Sequence, residues 1–180
     1  MEHKIIIVTG KQGSGKTTFL QEMIFGLAIK GVQTAGILAE GFWKNYERDY
    51  FELIDLKSKN SILYCQREPK DGWEKLRHFY INPDGQKFGE AALDPDYLKN
   101  ADIVVVDEIG PFELKGKGWA KAIESIIMGL PESTMIWVVR EGLLNEVSDY
   151  FKIKPQKIYH VEEDCAENVV SYVIQLCQNN

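Results

Sequence analysis

The chain has 180 residues and a formal charge of −6, with 44% apolar and 27% charged side chains. That length is one domain's worth, enough to bury a sheet on both faces. The excess of acid argues against an extended nucleic-acid surface, which needs clustered Lys and Arg, and no stretch approaches the ~20 continuous apolar residues of a membrane span.

The first buried strand is expected at Lys4 to Thr9, an apolar and largely β-branched run. It follows the first residues directly, with no cleavable apolar leader, so a cytoplasmic protein is expected. A helix follows over Lys16 to Lys30, its apolar positions Phe19, Leu20, Met23, Ile24 and Leu27 recurring at three- and four-residue spacing before Gly31. Val32 to Ala39 reads as a second strand ending near Glu40-Gly41-Phe42-Trp43, with Gly41 to Asp49 as a connection. From Tyr46 to Asn82 helical periodicity gives way to short alternating runs and turn signals. This predicts a β-rich insertion of two or three antiparallel strands at about 46–82, extending one sheet edge, with Pro83-Asp84-Gly85 as its closing turn. A helix is expected over Phe88 to Lys99, broken near Asp94-Pro95, then a buried strand Ile103 to Asp107 and an amphipathic helix Trp119 to Leu130. A buried strand Met135 to Val139, a short helix near Leu143 to Tyr150, a strand around Lys157 to Val161 and a helix from Ala166 to Cys177 complete the chain. Alternating strands and helices predict an α/β three-layer fold. The single domain over 1–180 has a mostly parallel sheet, an antiparallel edge insertion and a ligand crevice at the carboxyl ends of the parallel strands.

Gly10-Lys11-Gln12-Gly13-Ser14-Gly15-Lys16-Thr17 fits G-x-x-x-x-G-K-[ST] in full, between a predicted strand and a predicted helix. Backbone N–H groups from Gly10 to Thr18 can wrap phosphate oxygens there because the glycines allow the tight turn. Lys16 adds a compact charge for the β and γ phosphates, Thr17 a hydroxyl for Mg2+, and the helix N-terminus its dipole. Asp107, at the tip of a buried strand, is the natural carboxylate for the same ion, and Glu108 stands one residue farther out, where it can orient or deprotonate an attacking water. Of the four arginines, Arg140 follows a buried strand and is the best candidate to stabilise migrating charge; Arg48 lies in a connection that can fold over the nucleotide, and Arg67 and Arg77 flank inserted strands. Trp43 and Phe42 read as edge packing or as a stacking platform. Cys65, Cys165 and Cys177 are odd in number and lack C-x-x-C spacing, which predicts reduced, partly buried thiols rather than a disulfide or zinc framework. His3, His78 and His160 are scattered and form no catalytic constellation by spacing.

With these residues in view, the chain resembles the small P-loop nucleoside-triphosphatase family of thermophilic and cancer-related type over nearly its whole length. The resemblance rests on Gly10 to Thr17, the Ala35-Gly36…Gly41-Phe42 segment leading to Arg48 and Phe51 to Leu56, the run Val106-Asp107-Glu108-Ile109-Gly110-Pro111-Phe112-Glu113-Leu114, and Arg140. The Arg48 segment lacks the Gly- and Arg-rich run common in that family, and Arg140-Glu141-Gly142 replaces a more basic segment. The resemblance implies slow, magnesium-dependent hydrolysis of several nucleoside triphosphates, with Lys16, Thr17, Asp107 and Glu108 in the corresponding roles. Unassisted P-loop hydrolases turn over at the order of 10⁻³ to 10⁻² per second. Two other readings stand beside it: a kinase-type phosphotransferase with Glu40 as base, and a nucleotide-dependent switch, for which a guanine-reading Asn-Lys-x-Asp motif is missing.

Overall fold

A computed structural model describes residues 4–178, so His3 lies outside the described residues. The elements run β1 (Lys4–Gly10), α1 (Lys16–Ile29), β2 (Thr34–Lys44), β3 (Glu47–Asp55), β4 (Ser61–Gln66), β5 (Glu74–Leu76), β6 (Phe79–Ile81), α2 (Pro83–Ala92) and α3 (Pro95–Leu98). They continue with β7 (Ile103–Ile109), a 3-10 turn (Glu113–Lys115), α4 (Ala120–Gly129), β8 (Thr134–Arg140), α5 (Leu144–Phe151), β9 (Lys157–His160) and α6 (Ala166–Gln178). Among the described residues no helix is long and apolar enough to cross a membrane.

The strands form one sheet in the order β5-β6-β4-β3-β2-β7-β8-β1-β9. From β2 to β9 every neighbouring pair is parallel, and from β5 to β2 every pair is antiparallel. Alternation of side chains divides the buried strands between two cores. Ile6, Val8, Val105, Ile136 and Val138 meet α1 and α6 through Leu20, Met23, Val169 and Val173. Ile5, Ile7, Val104, Val106 and Trp137 meet the helices on the other face through Leu93, Leu98, Ile123, Ile126 and Phe151. The α/β three-layer fold is therefore present, and the carboxyl ends of β1, β7 and β8 share one edge.

Two boundaries differ from the sequence reading. β2 does not end near Ala39 but continues to Lys44 and turns at Asn45 and Tyr46, whose φ angles are 50° and 65°, into β3. Register pairs Gly41 with Phe51 and Trp43 with Arg48, so Arg48 is a strand residue of a hairpin rather than part of a connection. Pairing with β3 satisfies the polar backbone that a loop would have left to water. The insertion also has four strands, β3 to β6, the last two of three residues each.

The segment Pro83-Asp84-Gly85 opens a helix instead of closing a turn. Asn82 is the N-cap, its side chain accepting the Asp84 N–H at 3.0 Å, and Pro83 occupies the first helical position, where its missing donor costs nothing. The Asn82 amide also donates to Leu63 O at 2.6 Å, pinning this helix start to β4.

Asp55 closes the far end of the hairpin. Its carboxylate accepts from Lys57 N at 2.9 Å, from the Ser58 hydroxyl and from Tyr97 Oη at 2.7 Å, tying β3 to α3. Burial works to raise this carboxyl, but the hydrogen bonds from Ser58, Tyr97 and Lys57 outweigh it and hold it below its ordinary value. A pKa lowered by folding contributes stability that is complete above the unfolded value of about 4 and is lost as pH falls through the folded value. Asp55→Ala is expected to cost about 1–3 kcal/mol at neutral pH. In urea unfolding, its gap from the parent protein should narrow as the buffer is taken below about pH 4; a gap independent of pH would mean that the charge contributes nothing.

Candidate active site

The loop between β1 and α1 is shaped by two glycines in the left-handed region, Gly13 at φ 84° and Gly15 at φ 90°, where a side chain would be strained. Ser14 N donates to Lys11 O at 3.2 Å across the turn. Gly15 supplies no side-chain cap, so the first amides of α1, at Lys16, Thr17 and Thr18, remain available at the positive end of the helix dipole. Lys16 Nζ folds back over the loop, donating to Gly10 O at 2.8 Å and Lys11 O at 2.7 Å. An ammonium has three protons, so one remains for a ligand. Burial lowers the Lys16 pKa, with Glu108 and Asp107 pulling the other way and Arg140 adding to the depression. Thr9 and Ser14 have buried hydroxyls without a partner among the described residues.

At the tip of β7 the ladder slips. Val106 pairs with Trp137 and Ile109 with Val139, so three residues of β7 span two of β8, an irregularity that leaves Asp107 and Glu108 outside the pairing. Glu108 takes up the extra length at φ 63°, a conformation that suits glycine. Asp107 is 1% exposed; Oδ2 accepts Ala39 N at 3.0 Å and Oδ1 accepts Glu108 N at 2.8 Å. Burial raises the Asp107 carboxyl, the Glu108 charge raises it further, and the two amides and Lys16 oppose both. Glu108 is exposed in the open crevice, yet the protein around it raises its carboxyl as well, against the pull of Lys16, Arg140 and Arg48.

Arg140 is the last residue of β8 and pairs in register with Gly10, which sets it beside the loop. Its Nη2 donates to Gln12 Oε1 at 2.7 Å. Lys16, Thr17, Asp107, Glu108 and Arg140 thus converge on one sheet edge, while Lys11 and Gln12 line the mouth. Arg67 pairs with Glu47 at 3.2 Å, and Arg77 is exposed in the β5–β6 turn. Glu40 accepts from Gln21 Nε2 at 2.9 Å. Phe42 stacks on Tyr50 at 4.6 Å, whereas the Trp43 ring is 59% exposed and carries Arg48 over one face. Of the free thiols Cys65 is buried, its pKa pushed up to about 12 mainly by burial, but Cys165 and Cys177 are exposed.

The sequence assigns no role to two supporting carboxylates, although Glu113 lies in the run Val106 to Leu114 that carries the family resemblance. Glu162, in the β9–α6 loop, accepts Lys11 N at 3.0 Å and tethers the phosphate-binding loop from a distant segment. Glu113 is 3% exposed and fastens the chain after β7, accepting Gly110 N at 2.8 Å and Trp119 N at 3.3 Å. Burial pushes its carboxyl up to about 7 against those bonds.

The donor set suits magnesium: a hydroxyl at Thr17 and a carboxylate at Asp107 whose oxygens keep lone pairs after accepting two amides. Among the described residues no group of three or more His, Cys, Asp or Glu gathers to hold a metal. A cation here would take most of its shell from water and phosphate, the habit of magnesium.

The parallel sheet, the glycine-shaped loop before α1 and the acidic strand tip define a P-loop NTPase fold. Residues 5–174 match the profile of the family described as NTPase, and the chain belongs to that family. It is 27% identical over 170 residues to the nucleoside-triphosphatase THEP1 of Hyperthermus butylicus, spanning 88% of this chain and 83% of that one. To its namesake from Methanosarcina acetivorans it is 33% identical over 128 residues, 68% and 69% of the two chains. THEP1 from the hyperthermophile Aquifex aeolicus superposes with a TM-score of 0.67 at 16% identity, over 94% of this chain and 98% of that one. The solution structure of a human cancer-related nucleoside triphosphatase gives 0.66 at 20% identity, over 100% and 99% of the two chains. At these identities the structural likeness speaks for the fold.

Backbone strain at Glu108 is separable from its charge. Glu108→Gly is expected to be about 1 kcal/mol more stable than Glu108→Ala in chemical denaturation, since both lose the carboxylate and only glycine relieves the left-handed conformation. Equal stabilities would mean that the strand tip is unstrained.

Proposed function

We propose that this NTPase-family enzyme hydrolyses nucleoside 5′-triphosphates to the diphosphate and phosphate, slowly, with Mg2+ and little selectivity among bases, in the cytoplasm. The observation that carries this reading is the meeting of Lys16 with Asp107 and Glu108, each within electrostatic reach of the others, at the carboxyl edge of the sheet.

Amides of the Gly10 to Thr18 loop and the free proton of Lys16 would grip the β and γ phosphates. Thr17 and Asp107 would hold magnesium, which when bound neutralises phosphate charge. Glu108 orients a water for in-line attack on the γ phosphorus and receives its proton as the new P–O bond forms. The bond to the bridging oxygen breaks, and the electron pair leaves with the diphosphate. The protein around Glu108 raises its carboxyl from the ordinary value, the direction that strengthens a general base. Arg140, beside Gly10 and hydrogen-bonded to Gln12, is suited to take up charge on the transferring group. Broad base tolerance agrees with the absence of an Asn-Lys-x-Asp guanine-reading motif from the sequence.

Phosphate release should be followed with ATP, GTP, CTP and UTP, with magnesium and with EDTA. Rates among the four should lie within about tenfold and vanish with EDTA. Lys16→Ala should lose both binding and turnover, and Glu108→Gln should keep nucleotide affinity while turnover falls by about 10²–10⁴-fold, the range for a general base. Undiminished release by either variant would refute the assignment.

A further inference from the structure

The β2–β3 hairpin turns one cation back over the crevice. Ala39 N is bound to Asp107, and Gly41 lies two residues farther along β2 on the same face, beyond the tip of β7. Against Gly41 lies the Arg48 guanidinium, so close that a Cβ on Gly41 would stand 1.8 Å from Nη1. The guanidinium carbon is 4.6 Å from the Trp43 ring centroid and 5.4 Å from that of Phe51, so two aromatic rings fix it. The main chain is fixed as well: Arg67 Nε donates to Arg48 O, and Arg67 N to Asp49 O at 2.9 Å.

So much ordering of a half-buried arginine ordinarily serves a carboxylate. Among the described residues, no carboxylate lies within ion-pair distance of Arg48. Its charge is felt instead at Glu108, on the crevice side, together with those of Lys16 and Arg140. A planar cation with five donors, held by aromatic faces and with no carboxylate partner among the described residues, matches phosphoryl oxygens and keeps its charge at any working pH.

We propose that Arg48 is a catalytic residue that contacts the γ phosphate of a bound nucleoside triphosphate and takes up the charge developing in the transition state, from the side opposite Arg140. Its role rests on the hydrolase reading given above. Trp43 and Phe51 are positioning residues, and Gly41 leaves the space the guanidinium needs. An arginine acting on the transition state affects turnover more than ground-state binding.

The test uses the full chain with Arg48→Ala, Arg48→Lys, Trp43→Ala and, as a control, Arg77→Ala in the exposed β5–β6 turn. Turnover and KM for magnesium-ATP are measured beside calorimetric Kd values for magnesium-ADP alone and with aluminium fluoride, which imitates the transferring phosphoryl group. Arg48→Ala should lower kcat by about 10²–10³-fold. KM and ADP affinity should change less than about fivefold, and the extra affinity conferred by aluminium fluoride should fall as kcat does. Arg48→Lys, which keeps the long stem and the charge should Arg48→Ala fail to fold, should recover no more than about tenfold, because it lacks the fork. Trp43→Ala should fall between parent and Arg48→Ala, and Arg77→Ala should match the parent. An Arg48→Ala protein with kcat within about threefold of parent overturns the proposal, as does one that loses ADP affinity as much as affinity for the fluoride complex. A parent protein that releases no phosphate would sink the hydrolase reading itself, whereas an active parent with an equally active Arg48→Ala sinks only the role of Arg48.

Discussion

A carboxylate as enclosed as that of Asp107 must find donors, and it finds them in the backbone of its own sheet. Oδ2 takes the amide of Ala39 on β2, and Oδ1 takes that of Glu108. The first bond continues the β2–β7 contact past Ile37↔Val106, where their pairing ends, and so holds the base of the hairpin to the tip of β7. The second bends the chain immediately after Asp107 and favours the left-handed turn at Glu108. One buried charge thereby sets where the acidic tip points and where the hairpin begins. Removing such a charge from its partners is costly because the low-dielectric interior offers no substitute for water.

The insertion follows from that arrangement. Because β2 is held at Ala39, its continuation to Lys44 projects past the sheet edge, and β3 returns alongside it with Arg48 opposite Trp43. β4 and β6 stabilise the return: Arg67 leaves β4 to bind the Arg48 and Asp49 carbonyls, and its head group pairs with Glu47 and lies 5.6 Å from the Phe79 ring centroid. Strands of the insertion thus fix the orientation of the Arg48 guanidinium against Trp43 and Phe51. Rigid support from neighbouring elements is what keeps a site within the small tolerance that positioning requires.

Legibility in the sequence tracks how local the cause is. β1, β7 and β8 are runs of aliphatic side chains bounded by turn residues, and the loop at Gly10 to Thr17 needs glycines that no other motif explains, so both could be read directly. The start of α2 could not, because Asn82-Pro83-Asp84 serves a turn and a capped helix equally well; the deciding bond runs from Asn82 to Leu63 in another strand. In the sequence β2 reads as Val32 to Ala39, ending at Glu40 to Trp43, because its aliphatic run stops there; what carries it on to Lys44 is pairing with β3, a non-local cause. Glu108 gave no hint of its conformation, since left-handed residues are anticipated from Gly or Asn rather than Glu. Glu162 and the loop amide it holds are far apart in the chain, and spacing carries no information about such a partner.

The balance of charge explains how an acidic chain can hold a polyanion. Lys16, Arg140 and Arg48 bring three positive charges to the crevice, against the two carboxylates of Asp107 and Glu108. A bare triphosphate carries roughly four negative charges; with the loop amides alone to supplement this narrow surplus, it would meet two unscreened carboxylates at the strand tip. A divalent cation halves the charge of the ligand and gives Asp107 the counter-charge that burial denies it. Under the hydrolase reading proposed above, such an ion would relieve the protein and the nucleotide together, which is the electrostatic reason for proposing magnesium. In that proposed arrangement the Glu108 carboxylate would stay free for water.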